Sequence, residues 1–162
     1  MGQAPDILPQ PADVELTLDV SMWPLVLLTM PKVMTVADLD YLEAGYRSLH
    51  ASFDRHALIV DPTTFDRIPD AALRGRMKEF ESKKHHIIVE KNLGTAIIVQ
   101  NSLVRGAFTA LRWMSPAPTE NRAFPNIRDA AAWCVELIEA DGQFPPMDAL
   151  RLADLLDRAA ND

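Results

Sequence analysis

The sequence predicts an α/β domain built on a mixed sheet, and three observations predict it. Val14-Glu-Leu-Thr-Leu-Asp-Val alternates apolar and polar residues at period two, the mark of a half-buried strand. Ala57-Leu-Ile-Val is short and wholly apolar, as a central parallel strand covered on both faces must be. From there onward strand-like and helix-like segments take turns, which calls for parallel strands joined by right-handed crossovers.

Each element has a local reason. Residues 1–12 hold Pro5, Pro9 and Pro11 and read as an extended tail. After the first strand, Pro24–Thr29 is a second apolar run, and the short Ser21-Met-Trp-Pro join predicts an antiparallel hairpin. Thr35 with Asp38 three residues later forms a helix start, with the acid well placed for the helix dipole. Leu39, Leu42, Tyr46, Leu49 and Phe53 follow on one face.

After Ala57–Val60 comes a loop, Asp61-Pro-Thr-Thr-Phe-Asp-Arg-Ile-Pro, with Pro69 and Asp70 opening a helix whose stripe is Leu73, Met77, Phe80 and Ile87. Asn92-Leu-Gly94 reads as its stop, and Ile87-Ile-Val, rich in β-branched residues, as an alternative short strand. Thr95–Val99 is the next strand. Ser102 caps a helix over Leu103–Met114, ended by Pro116 and Pro118. Arg122-Ala-Phe is a brief strand near an edge. Asn126 caps a last core helix carrying Ala130, Trp133, Cys134 and Leu137, with Gly142 past its end.

The predicted order is β-β-α-β-α-β-α-β-α over residues 13–141. Residues 142–162 add a stiff Phe144-Pro-Pro joint and an amphipathic helix over 147–159 bearing Leu152, Leu155 and Leu156.

Composition bounds the function. A chain of 162 residues suits one domain able to bury ~70% of its unfolded surface. The net charge of −7 argues against a generic nucleic-acid binder. Cys134 is the only cysteine, so no intrachain disulfide forms and a reducing cytoplasm is the expected compartment. The start of the chain lacks a secretion-signal pattern, and the longest apolar run, Met22–Met30, is too short to span a bilayer.

Motifs with chemistry are scarce. No Gly-x-Ser-x-Gly elbow, phosphate-binding loop or Gly-x-Gly-x-x-Gly fingerprint occurs, so neither an enzyme nor a cofactor is expected. Asp61 and Asp66 follow a central strand, where ligands of open α/β sheets bind, but an Asp before a proline more simply organises a turn. His85 and His86 point about 100° apart on a helix, which is poor for chelating a metal. His50 and His56 flank a helix-to-strand join and read as surface residues. Cys134 falls on an apolar stripe and reads as a small core residue. Arg105, Thr109 and Arg112 share one helix face at i, i+4 and i+7; they make either a solvated stripe or a site for carboxylates. Arg74, Arg76, Lys78, Lys83 and Lys84 are interleaved by Glu79 and Glu81, as on an exposed salt-bridged face.

The order of elements, with Ala57-Leu-Ile-Val-Asp-Pro, Asn101-Ser-Leu-Val-Arg-Gly-Ala and Arg122-Ala-Phe-Pro-Asn-Ile-Arg-Asp-Ala-Ala-Ala-Trp, resembles the SpoIIAA-like family of STAS/SEC14 type, which includes the anti-sigma-factor antagonists. The resemblance covers roughly residues 14–140 and implies a four- to five-stranded mixed sheet flanked by helices. It also implies a non-catalytic cytoplasmic regulatory module that meets a protein partner beyond the strand Ala57–Asp61. Family members are switched by phosphorylation of a serine at the start of the next helix. That position falls here at about Asp70 or Ala71, so the usual phosphoacceptor is missing, and Thr63 and Thr64 are the hydroxyls in the same loop.

The expected contact residues are therefore Asp61, Thr63, Thr64, Asp66 and Asp70, with Arg105, Thr109 and Arg112 as a second face. Leu152, Leu155 and Leu156 would pack on their own domain, on a second copy in a homodimer, or in a partner's groove. The alternative function is a small-molecule or lipid-binding domain of the SEC14-like kind, which needs an apolar cavity among the helices.

Overall fold

The computed structural model describes residues 3–52, 54–67, 69–100, 119–145 and 154. It is an α/β fold with a five-stranded mixed sheet. The strands are β1 (Thr17–Met22), β2 (Leu25–Thr29), β3 (His56–Asp61), β4 (Asn92–Ile98) and β5 (Asn121–Phe124), in the spatial order β1-β2-β3-β4-β5. β1 and β2 form the antiparallel hairpin, and β2 to β5 run parallel. The hairpin turns at Trp23-Pro24, a cis peptide. Three helices are described: α1 (Val36–Ala51), α2 (Ala71–Lys91) and α3 (Ile127–Ala140). The expected helix Leu103–Met114 and nearly all of 147–159 lie outside the described residues, as does Phe53.

Period two within the strands creates two separate cores. On β3, Leu58 and Val60 face one side while Ala57 and Ile59 face the other. The first core joins Val26, Leu28, Leu58, Val60 and Ile97 to Leu39, Leu42 and Leu49 of α1 and Met77 of α2. The second joins Leu25, Ala57, Ile59, Ala96 and Ile98 to Ala130, Ala131, Trp133, Cys134 and Ile138 of α3. Two helices thus cover one face, and α3 is the described cover of the other. Neighbouring parallel strands joined by crossovers of one hand must place their helices on one face, as α1 and α2 are. α3 follows the last strand and is free to cross to the far side.

The caps follow the sequence. Thr35 and Asp38 form a reciprocal capping box on α1. Asp70 caps α2 by accepting from the Leu73 amide at 2.8 Å, and Asn126 caps α3 through the Asp129 amide at 2.8 Å. Gly142, at φ +79°, ends α3 in the left-handed region that favours glycine.

Two expectations are corrected, at β1 and at Gly94, and the helical reading of Ile87–Val89 holds over its alternative. The ladder of β1 opens at Thr17, not Val14, because the amides of Glu15 and Leu16 donate to the Asp38 carboxylate instead of to a strand, at 2.9 and 3.0 Å. Val14, Leu16 and Leu18 still point inward as the alternation requires. Ile87–Val89 stays helical, since α2 runs to Lys91 and β4 begins at the next residue. Gly94 consequently lies inside β4 and ends no helix. A Cβ there would stand 2.6 Å from Leu137 and 2.9 Å from Trp133, so glycine lets α3 settle onto the sheet.

The tail, 3–11, carries no helix or strand but is anchored. Ile7 packs on the first core, and the Gln10 side-chain amide donates to the Val14 and Leu16 carbonyls at 2.8 and 2.9 Å.

Candidate functional site

The carboxyl ends of the parallel strands are where open α/β sheets present ligand and partner surfaces. Here that end is formed by the loop Asp61–Asp70 beside the stretch 30–36. The loop is moored rather than draped. Met30 donates its amide to the Asp61 carbonyl at 2.9 Å, the Thr64 hydroxyl donates to the Met30 carbonyl at 2.9 Å, and the Asp66 amide donates to the Lys32 carbonyl at 2.9 Å. Phe65 turns back onto the first core, closing a turn through its amide to the Pro62 carbonyl at 2.9 Å.

The candidate residues divide by their obligations. The Asp61 carboxylate accepts from the Thr63 amide at 3.0 Å, the local turn its proline neighbour suggests. Asp70 is occupied as a helix cap. Thr64 is exposed as a residue, but its hydroxyl is spent on Met30. Asp66 and Arg67 are exposed. Asp61, Asp66 and Asp70 therefore do not converge into a ligand set. Among the described residues, no group of three or more His, Cys, Asp or Glu side chains could hold a metal ion. Arg105, Thr109, Arg112, Leu152, Leu155 and Leu156 lie outside the described residues. From that last segment, the Asp154 carboxylate pairs with Arg128 in the first turn of α3 at 2.9 Å.

Two contributors went unnoticed in the sequence. Val33 and Val36 are 39% and 55% exposed; Val33 follows Lys32, to which the loop is tied, and Val36 is the first residue of α1, inside the capping box. The available signal was a pair of valines in a Pro-initiated connection, off any helical or strand period. The second concerns Asp38, which the sequence marks only as the acid of a helix start. It is 1% exposed and accepts four hydrogen bonds, from the Glu15 and Leu16 amides and from the Thr35 amide and hydroxyl. One carboxylate thereby holds the lead into β1, the start of α1 and, through it, the 30–36 stretch in fixed relation.

The amino ends of the strands are built differently. His56 is 1% exposed, so its reading as a surface residue is wrong. It opens β3 in register with Asn92 of β4, and its ring lies 5.8 Å from that of Trp23, tilted by 35°. Above it, Arg55 is pinned by its Nε to the Glu90 carbonyl at 2.9 Å and by a 2.7 Å ion pair to Asp141. Gln143 bridges the Arg55 carbonyl and the Asp141 carboxylate. Burial, assisted by the nearby charges of His50, Lys91 and Arg55, pushes the His56 imidazole from 6.5 down to about 3.

Other candidates resolve structurally. Cys134 is buried in the second core, and burial pushes its thiol up to about 12, which removes the thiolate that nucleophilic chemistry needs. Within the basic run, Arg76 reaches Asp40 and Glu43 of α1, Lys83 pairs with Glu79 at 2.7 Å, and Arg74 donates to the Pro69 carbonyl at 2.7 Å. The Lys83–Glu79 pair is of the interleaved kind the sequence predicts, whereas Arg74 and Arg76 find their partners outside the run. No helix among the described residues is long and apolar enough to cross a membrane.

Comparison with known proteins finds no match: no family model fits the chain, and neither a curated protein nor a solved structure matches it.

Proposed function

We propose that this chain is a non-catalytic protein-interaction module of SpoIIAA-like, STAS type, which meets its partner through the loop Asp61–Asp70 and the adjoining Val33–Val36 stretch. The supporting observation is the mooring of that loop: three hydrogen bonds tie it to 30–32 while Asp66, Arg67, Val33 and Val36 stay exposed in the two segments so joined. A held surface of mixed apolar and charged character binds without the ordering cost that a loose loop would incur. The sequential strand order and the antiparallel first strand are in keeping with the STAS-like reading. In this reading the missing phosphoacceptor leaves the contact set by shape and charge alone.

The test is affinity capture from the native cell with two baits. One is the unaltered chain; the other carries Val33→Asp, Val36→Asp and Asp66→Arg, whose side chains make none of the mooring bonds. Circular dichroism establishes that both are folded. A protein held by the first bait and released by the second supports the module. A partner held equally by both removes this surface. Capture of no protein, with a co-purifying small molecule in native mass spectrometry, favours the SEC14-like alternative instead.

A further inference from the structure

We propose that His56 is a proton-sensitive joint: when its imidazole takes up a proton, the amino-terminal end of the sheet opens where Trp23 and the starts of β3 and β4 meet.

The argument begins with unmet hydrogen bonding. Among the described residues, His56 Nδ1 and Trp23 Nε1 are the buried side-chain polar atoms that lack a partner, and they belong to rings in contact. The neighbours do not offer themselves. Asn92, in register with His56, turns its side chain along its own strand, donating to the Thr95 hydroxyl at 3.0 Å and accepting from the Gly94 amide at 2.8 Å. The indole N–H is a donor only and cannot receive a proton from an imidazolium.

Among the described residues, the charges that bear on His56 are basic groups. His50 comes from the last turn of α1, Arg55 from the connection before β3, and Lys91 from the end of α2. The Asp141 carboxylate at the end of α3 is engaged by Arg55 and Gln143. A protonated His56 would be a buried cation whose Nδ1 has no partner among the described residues, a state a folded protein leaves by exposing the group. Among the described residues, the segment just before His56 is held by the Arg55–Asp141–Gln143 contacts, and the arginine side chain there is already 43% exposed.

The size of the effect follows from linkage. An exposed imidazole with its ordinary pKa of 6.5 and a closed one near 3 make the opening equilibrium about 30-fold more favourable at pH 5 than at pH 7.5.

The experiment is amide hydrogen exchange by NMR on the full chain at pH 7.5 and pH 5, each rate divided by its intrinsic value. The amides of Ala57, Leu58, Gly94 and Thr95 are compared with those of Val60 and Ile98 at the far end, and the Trp23 indole signal is followed in parallel. The expected result is opening at the near end that rises about 30-fold on acidification, with a smaller rise at the far end and a shifted indole signal. In His56→Phe, which keeps a ring against Trp23 and removes the titrating nitrogen, the near-end rise should vanish. Equal rises in both chains, or a flat near end in the unaltered chain, would overturn the proposal. The unaltered chain decides alone if the variant does not fold.

Discussion

Asp38 and His56 are both 1% exposed and both ionisable, and they sit at opposite ends of the parallel strands. Asp38 receives four hydrogen bonds from two segments of chain. His56 has an Nδ1 that receives none. The contrast shows that burial by itself says little about what a polar group contributes. A carboxylate whose lone pairs are filled by backbone amides organises the fold around it. An imidazole shut in with its Nδ1 unpartnered is carried in its neutral form.

The largest expected effect tests the filled end. Asp38→Ala would leave the Glu15, Leu16 and Thr35 donors without their acceptor, and equilibrium urea unfolding should show a loss of about 3–5 kcal/mol. A loss under 1 kcal/mol would mean that water replaces the carboxylate at no cost, and the contrast between the ends would fail.

Next comes acid. The folded chain prefers neutral His56, so the stability this preference represents is complete above pH 6.5 and is lost as the pH falls towards about 3. At pH 5 the loss relative to pH 7.5 should be about 2 kcal/mol. It is read as the difference between the unaltered chain and His56→Phe, so that titrating carboxylates common to both cancel.

A smaller effect is expected at the loop. Thr64→Val keeps the shape but removes the donor to Met30, and should cost about 1 kcal/mol. It should also raise hydrogen exchange at the Asp66 amide, whose bond to Lys32 is the neighbouring mooring. The smallest is His56→Phe at pH 7.5, where exchanging a ring with an unsatisfied Nδ1 for an apolar one should leave urea stability unchanged or slightly improved. A strong loss there would show that His56 has a partner of real worth and that the two ends are alike.

Much of the fold was legible because local chemistry and long-range packing agree. The reciprocal cap at Thr35 and Asp38, the caps at Asp70 and Asn126, and the glycine after α3 all rest on interactions within a few residues. The apolar run of β3 announced a strand covered on two faces, and it is the middle strand of the sheet. What escaped depends on partners far along the chain. Asp38 could be read as a cap but not as the acceptor for Glu15 and Leu16, some twenty residues away. Gly94 looked like a helix stop because the space it leaves is filled by Leu137 and Trp133, which the local sequence does not mention. His56 was misplaced for a simpler reason: following Arg55, it resembled the hydrophilic border of the strand. A residue that extends a strand covered on both faces is buried whichever way it points, and that rule was available.

The candidate site was less legible than the fold. The loop was located correctly as the connection after the central strand. Which of its side chains are free to meet a partner depends on which are already engaged, and the bond from Thr64 to Met30 spans two loops that sequence spacing does not relate.

The order of strands in space repeats their order along the chain, and this bears on synthesis. Each strand emerging from the ribosome finds its neighbour already made, so the sheet can grow by addition at one side without waiting for a distant segment. The far face, by contrast, must wait. Leu25, Ala57, Ile59, Ala96 and Ile98 meet α3 only once residues 127–140 have been made. During that interval those five apolar side chains lack their α3 cover, and the stretch of translation between β4 and α3 is when a holding chaperone would matter most to its yield.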